Sequence, residues 1–213
     1  LCMLAGLSGL PAGQAASRNL AEQVRQRFTA ARTSAEKTEG NPEQFRRELP
    51  AILQSYGIAG GQILLVAAVP ASALTMGNGD AGGTTTALRF RAVIGDPISG
   101  RIVETLDTVR RWQFRAALPK EGYLTFVTAI RVPTGAWRVA VVVGDTLQEQ
   151  GAGMRFDAVP VIATDGATLR LSDLILGRSG SGVAWPINGK QVQLNPTNGW
   201  TREDEAPLYF ELD

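Results

Sequence analysis

The sequence predicts a mostly β protein, an immunoglobulin-like antiparallel β-sandwich preceded by a short α-helical N-terminal segment. Two observations predict this fold class. From residue 62 to residue 161, β-prone segments recur about every 8 to 12 residues with turn signals between them, which is typical of an antiparallel sandwich or barrel. Before residue 57, apolar residues recur every three or four positions instead, as they do in an amphipathic helix.

The first residues are similar to the end of a secretory signal peptide. The uncharged apolar run Leu1–Leu10 is followed by Pro11 and by small residues at 12–16. This run is too short to cross a hydrocarbon core about 30 Å thick. We therefore expect residues 1–16 to be a signal-peptide remnant, with a buried helix as the alternative. Since no basic region precedes the run, we also expect the sequence to begin inside a longer reading frame.

Export has consequences for the single cysteine and for the location of the protein. Cys2 precedes the apolar run, whereas the acylated cysteine of a bacterial lipoprotein follows it, so we expect no lipid anchor there. Removal of residues 1–16 would leave a chain without cysteine, and packing rather than disulfides would stabilise it. The predicted location is periplasmic or extracellular.

Residues 17–57 are predicted to form a helical arm or linker. The first helix would present Leu20, Val24 and Phe28 on one face, and Asn41-Pro42-Glu43 would begin a second helix. The apolar face of that second helix would consist of Phe45, Leu49, Ile52 and Leu53. Pro50 conflicts with it, because proline inside a helix removes a hydrogen bond. The arm would serve as a spacer, as a docking or self-association element, or as a helix lying on its own domain.

The sandwich is expected over residues 58–165. Its predicted strands are Gln62–Val69, Thr86–Ile94, Ile102–Val109, Arg111–Ala117, Tyr123–Val132, Ala136–Gly144 and Ala152–Val161. In the second of these, the alternation predicts that Leu88, Phe90, Ala92 and Ile94 face one side while Arg89 and Arg91 face the other. No helical pattern interrupts the strands, which disfavours a parallel sheet built from βαβ units.

A turn followed by a strand, 132–143, is the most informative local pattern. Pro133 and Gly135 form the turn signal, and Trp137 then stands at the head of a strand. Extracellular sandwiches use an aromatic residue at such a corner to fix a loop onto the sheet. The pattern indicates a structural role for Trp137.

Residues 166–213 are predicted to be an extension with short strands, or the start of a further β module. Leu169–Leu176 predicts one strand, or two joined at Ser172 and Asp173. A Gly/Ser loop is expected over Gly177–Gly189, followed by short strands at Lys190–Leu194 and Leu208–Leu212. Because the last of these ends the sequence, we expect the protein to continue past Asp213.

Three stretches carry a resemblance to a known family. They are the segment 88–108 with the RRWQF that ends at Phe114, the turn and strand 132–143, and LRLSDLILGRSGSGVAW with the later NPTNGW and PLYFELD. Together they resemble the β-sandwich region of bacterial secreted proteins of the GWxTD-domain type. The GWxTD motif itself is absent, because Gly199-Trp200-Thr201 is not followed by its aspartate. The resemblance implies a secreted sandwich and carries no activity to any residue.

The composition excludes several kinds of chemistry. The chain of 213 residues has no histidine and one cysteine, which excludes imidazole-based catalysis, His-ligated zinc and a thiolate zinc site. Its 21 basic and 20 acidic side chains leave no net field to attract nucleic acid or an anionic membrane. The other candidates are carboxylates suited to glycoside hydrolysis, a calcium loop and a glycine-rich phosphate loop. The candidate carboxylates are Asp96, Glu104, Asp107, Asp145, Glu149 and Asp157. The calcium loop would use Asn78 and Asp80, and the phosphate loop would be residues 177–182.

Solvated charge and plain turns explain these candidates better, so we predict no enzyme, no catalytic residue, no cofactor and no metal. The expected role is a structural or protein-interaction module of a larger envelope or membrane-associated assembly, with protein partners and without nucleic acid. A carbohydrate-binding or glycan-processing module is the alternative. The candidate interaction surface is Trp185, Trp200, Arg89, Arg91 and Arg138. Cross-strand ion pairs are the structural explanation for the arginines, with Asp107 among the expected partners.

Overall fold

The structure, a computed structural model, describes residues 47–79, 82–116, 121–148, 150–162, 170–180 and 182–212. The predicted signal-peptide remnant, Cys2 and most of the predicted helical arm lie outside these residues. Among the residues described, no helix is long and apolar enough to cross a membrane.

The described residues confirm a mostly β fold with antiparallel sheets, and they contain no α-helix. A short 3-10 turn, Ala71–Ala73, follows the third strand. The strands are β1 (Arg47–Glu48), β2 (Ile52–Ile58), β3 (Gln62–Pro70), β4 (Gly77–Asn78), β5 (Thr84–Gly95), β6 (Ile102–Phe114), β7 (Tyr123–Arg131), β8 (Gly135–Asp145), β9 (Gln150–Val161), β10 (Ile175–Leu176), β11 (Val183–Ile187), β12 (Lys190–Leu194) and β13 (Leu208–Tyr209).

Two sheets face each other across one core. In the larger sheet the strands pair in the order β1-β9-β8-β5. One edge of β5 pairs with β8 and, near the start of β5, with β4, and the opposite edge pairs with β6 along its length. The smaller sheet has the order β2-β3-β7. Every pairing is antiparallel except that of β1 with β9. Phe90 of β5 and Phe126 of β7 stack across the space between the sheets, with ring centroids 4.0 Å apart. This face-to-face packing is consistent with the predicted β-sandwich.

A second apolar cluster covers the outer face of the smaller sheet. Leu64 and Val66 of β3 pack there against Ile175, Ile187 and other residues of the C-terminal segment 170–212. The strand β3 is therefore buried on both faces. This explains why its sequence is a continuous apolar run rather than an alternating one.

The predicted helix is wrong over the part of it that the structure describes. Arg47–Glu48 and Ile52–Ile58 are strands, and β2 pairs with β3 over its whole length. Pro50 lies between these two strands, where it prevents a helix from continuing. Leu49 and Leu53, expected on a helical face, are buried in the core between the sheets.

Two further boundaries differ from the prediction. The segments predicted as separate strands on either side of Arg110 form one strand, β6, because it pairs with the long strand β5. An edge strand also tolerates charged residues at successive positions. The predicted Gly/Ser loop contains strand β11, which pairs with β12 from Val183 to Ile187. Trp185 and Ile187, two positions apart in β11, pack in the second cluster, and their burial outweighs the glycine-rich composition before them.

Candidate interaction surfaces

The three candidate arginines lie on the outer face of the larger sheet, and each of them is paired with an aspartate, Arg89 and Arg91 with the same one. Arg89 binds Asp107 of β6 through two hydrogen bonds, both of 2.7 Å, and Arg91 lies 3.4 Å from the same carboxylate. Arg138 lies 2.8 Å from Asp157. The hydrogen bond to Asp107 raises the pKa of Arg89, and the one from Arg138 lowers the pKa of Asp157. The expected cross-strand ion pairs are therefore present.

The two candidate tryptophans lie in the C-terminal segment and are partly buried. Trp185 packs against the second apolar cluster. Trp200 donates a hydrogen bond from its indole N–H to the carbonyl of Gly177 at 3.0 Å. The structure thus places the arginines on the large sheet and the tryptophans on the segment that covers the small sheet. The indoles contribute to packing within that segment.

Trp137 has the structural role predicted for it. Its side chain is buried in the core, and its indole N–H donates to the Pro133 carbonyl at 2.7 Å. The hydrogen bond closes the turn that precedes β8. The corner at 132–137 is therefore confirmed.

The described carboxylates among the catalytic candidates hold turns and ion pairs. Asp96 accepts hydrogen bonds from the N–H groups of Ile98 and Ser99, which lower its pKa. Asp145, which is buried, accepts from the N–H groups of Thr75 and Leu147. Asp80 and Glu149 lie outside the described residues, and within the described ones no three metal-ligating side chains group together.

The most distinctive surface was absent from the sequence predictions. Six large apolar side chains are exposed along β10, β13 and the residues beside them. We call them the apolar stripe: Leu171, Leu174, Leu176, Leu208, Phe210 and Leu212, each at least 42% exposed. Leu176 pairs with Leu208 across the strands and Leu171 with Leu212, while Leu174 and Phe210 lie between these pairs.

Alternation along β10 and β13 explains how the stripe forms. Ile175 and Tyr209 pair with each other and face the second apolar cluster, so their neighbours in the chain face outward. The segment 208–212 has large apolar residues at every second position, and that signal was available in the sequence. What it could not show is that the apolar rows of both strands lie side by side on an outer surface.

Hydrogen bonds to a strand edge fix the stripe in place. The N–H of Gly57 in β2 donates to the Asp173 carboxylate at 2.7 Å, and the N–H of Ala59 donates to the Glu211 carboxylate at 2.7 Å. Tyr209 donates its hydroxyl proton to Glu211 at 2.7 Å. Burial raises the pKa of Asp173, and burial together with Asp173 raises that of Tyr56 nearby. These hydrogen bonds join the segment that carries the stripe to the edge of the smaller sheet.

In comparisons with known proteins, the chain matches no protein-family model and no curated protein significantly.

Proposed function

We propose that the chain is a non-enzymatic, immunoglobulin-like β-sandwich module of an exported protein, which binds a protein partner through the apolar stripe. The exposure of Leu171, Leu174, Leu176, Leu208, Phe210 and Leu212 on one ladder carries the proposal. Contiguous exposed apolar surface of this kind marks interaction sites in soluble proteins.

The strand order supports the immunoglobulin-like part of the proposal. The smaller sheet β2-β3-β7 corresponds to strands A, B and E of an immunoglobulin domain. The path β9-β8-β5-β6 corresponds to strands G, F, C and C′. Modules with this topology commonly present one surface to another protein, although the topology alone does not define a ligand.

The placement of the candidate residues favours a protein over a glycan. A glycan-binding surface would need exposed aromatic rings or unpaired polar groups, whereas Trp185 packs against the second cluster and Arg89 is engaged by Asp107. The apolar stripe offers few hydrogen bonds to sugar hydroxyls. It suits the apolar centre of a protein interface.

The signal-like start and the GWxTD-type resemblance support the remaining parts of the proposal. They favour a periplasmic or extracellular location and membership of a larger envelope or membrane-associated assembly. In that setting the stripe would hold the module against a neighbouring subunit of the assembly.

Site-specific photocrosslinking tests the proposal. A photoreactive amino acid at position 174 or 210 places the probe in the stripe, and the same probe at position 98 is the control. Ile98 is 96% exposed at the tip of a turn, so a non-specific collision would label it at least as well. We expect adducts of one defined mass from the stripe positions, formed with a protein of the exported fraction, and none from position 98.

A second arm uses Leu174→Glu and Phe210→Glu, with Ile98→Glu as the matched control. The two stripe variants should lose co-purification of the crosslinked protein, while the control keeps it. Equal labelling at all three positions would refute the proposal, and so would binding to a glycan array that persists in the stripe variants.

A further inference from the structure

Among the strands that the structure describes, β6 is the longest that pairs with a neighbouring strand on one edge only. β6 extends from Ile102 to Phe114, and its pairings are all with β5. The Trp112 carbonyl accepts a hydrogen bond from the side-chain hydroxyl of Thr85 in β5, so this carbonyl and the other even-numbered backbone groups of β6 face β5. The N–H of Thr105 donates to the neighbouring Glu104 side chain instead. Backbone groups of 105, 107, 109, 111 and 113 thus face outward.

The charges of β6 are divided between its two halves. Glu104 and Asp107 lie in the first half, and Arg110 and Arg111 lie in the second; all four are exposed. When two such strands pair in antiparallel orientation, the acidic half of each lies against the basic half of the other. A parallel arrangement would instead oppose like charges, which destabilises a strand pair.

We propose that two copies of this chain associate through antiparallel pairing of their β6 strands, centred on Val109. In this register Asp107 of each copy lies opposite Arg111 of the other, on the outer face of the sheet. On the core side, Leu106 lies opposite Trp112. Val109, which is 45% exposed, lies opposite its own counterpart.

This register uses every outward-facing backbone group of the strand. Residue 105 pairs with residue 113, residue 107 with residue 111 and residue 109 with itself. This gives about ten hydrogen bonds across the two-fold axis once the Thr105 N–H exchanges the Glu104 side chain for the second copy. Asp107 already contacts Arg89 and Arg91 of its own copy, and Arg111 of the second copy would join that ion-pair network. Leu106 and Trp112 are partly buried against the core between the sheets, so the contact would extend an existing apolar surface.

Sedimentation equilibrium of the full chain over a wide concentration range tests the pairing. We expect wild type to shift from the mass of one chain to the mass of two. Val109→Pro should remain at the mass of one chain, because its outward N–H is lost while the pairing with β5 is kept. Arg111→Glu should also remain there, whereas Arg115→Glu, the same charge change just beyond the strand, should dimerise as wild type does. Circular dichroism melting shows that each variant is folded.

Mixing two variants gives the sharpest result. Arg111→Glu alone opposes acid to acid, and Asp107→Lys alone opposes base to base. In an equimolar mixture each contact joins opposite charges, so the mixture should recover the mass of two chains. A wild type that stays at the mass of one chain at every concentration would overturn the proposal, as would a Val109→Pro variant that dimerises fully.

The apolar stripe is tested separately in the same experiment. Phe210→Glu should dimerise as wild type does, since the stripe lies on the C-terminal segment and β6 belongs to the larger sheet. Loss of the dimer in Phe210→Glu together with its retention in Val109→Pro would place self-association at the stripe and refute pairing through β6.

Discussion

Gly57 and Asp173 form a reciprocal pair of hydrogen bonds. The Gly57 N–H donates to the Asp173 carboxylate at 2.7 Å, and the Asp173 N–H donates to the Gly57 carbonyl at 3.0 Å. Two residues further along the chain, just after β2, the Ala59 N–H donates to the Glu211 carboxylate. Carboxylates of the C-terminal segment thus take the place of a neighbouring strand along this edge. The segment that presents the apolar stripe is joined in this way to the smaller sheet.

A methyl group at position 57 should disrupt the packing of β2 against β9. A Cβ there would lie 1.7 Å from the carbonyl oxygen of Pro160, so β2 and β9 would have to separate. We expect Gly57→Ala to lower the free energy of unfolding by about 3 kcal/mol, at the upper end of the range for overpacking. Urea denaturation measures this loss. Gly153→Ala is the matched control, because a Cβ there would lie 3.6 Å from its nearest neighbours, an ordinary contact distance.

Two substitutions of Asp173 distinguish the contribution of its hydrogen bond from that of its charge. Asp173→Ala leaves the Gly57 N–H without its acceptor, and we expect a loss of about 1–3 kcal/mol in the free energy of unfolding. Asp173→Asn keeps an acceptor oxygen at the same position. Its stability at neutral pH should therefore equal or exceed that of wild type. Thermal melting of the two variants side by side checks the order, and equal losses in both would contradict it.

The difference in stability between Asp173→Asn and wild type should depend on pH. Burial raises the pKa of Asp173, while the hydrogen bond from Gly57 acts in the opposite direction. Because the folded pKa lies above the unfolded value of about 3.9, this group stabilises the fold most below that pH. Its contribution is lost as the pH rises through the folded pKa. The stability of Asp173→Asn relative to wild type should therefore increase from about pH 3 to about pH 7, and a decrease would contradict the assignment.

Trp137→Phe tests the turn before β8. Phenylalanine keeps most of the buried ring and removes the indole N–H that donates to Pro133. We expect a loss of about 1 kcal/mol from the hydrogen bond, against about 3–5 kcal/mol for Trp137→Ala, which also leaves a cavity. Urea denaturation of the three proteins gives both values. Equal stability of Trp137→Phe and wild type would show that the hydrogen bond adds nothing net.

A double-mutant cycle tests the contact between the two sheets. Phe90 and Phe126 stack with their ring planes 12° apart, and Trp112 meets Phe90 edge to face. We expect Phe90→Leu and Phe126→Leu to be coupled by about 0.5–1.5 kcal/mol, the usual value for an aromatic pair. Additive effects would mean that the rings contribute by burial alone. Phe90→Leu combined with Val161→Ala is the control pair, since neither residue stacks on the other.

Local sequence patterns predicted much of the larger sheet and little of the C-terminal segment. Alternation from Leu88 to Ile94 identified the core face of β5 and the exposed position of Arg89, because one face of that strand is buried and the other is solvated. The strand β2 was wrongly predicted as helix. Its apolar residues Ile52 and Leu53, with Leu49 just before it, are spaced equally well for a helical face, and only the pairing of β2 with β3 decides the outcome.

The candidate interaction surfaces were also predicted only in part. The sequence identified Arg89, Arg91 and Arg138 as outward-facing, and it identified Asp107 as an available counter-charge. It did not identify the apolar stripe, because Leu174 and Phe210 lie far apart along the chain and become neighbours only when β10 pairs with β13.

The sequence by itself determined the β class, the faces of the central strands and the turn at Trp137, since each depends on residues within about ten positions of one another. Tertiary structure decided which apolar rows are covered. β3 is buried on both faces because the C-terminal segment lies over it, and the same segment turns Leu208 and Leu212 outward. Burial depends on what packs on the opposite side of a strand, and that partner is set by contacts between distant parts of the chain.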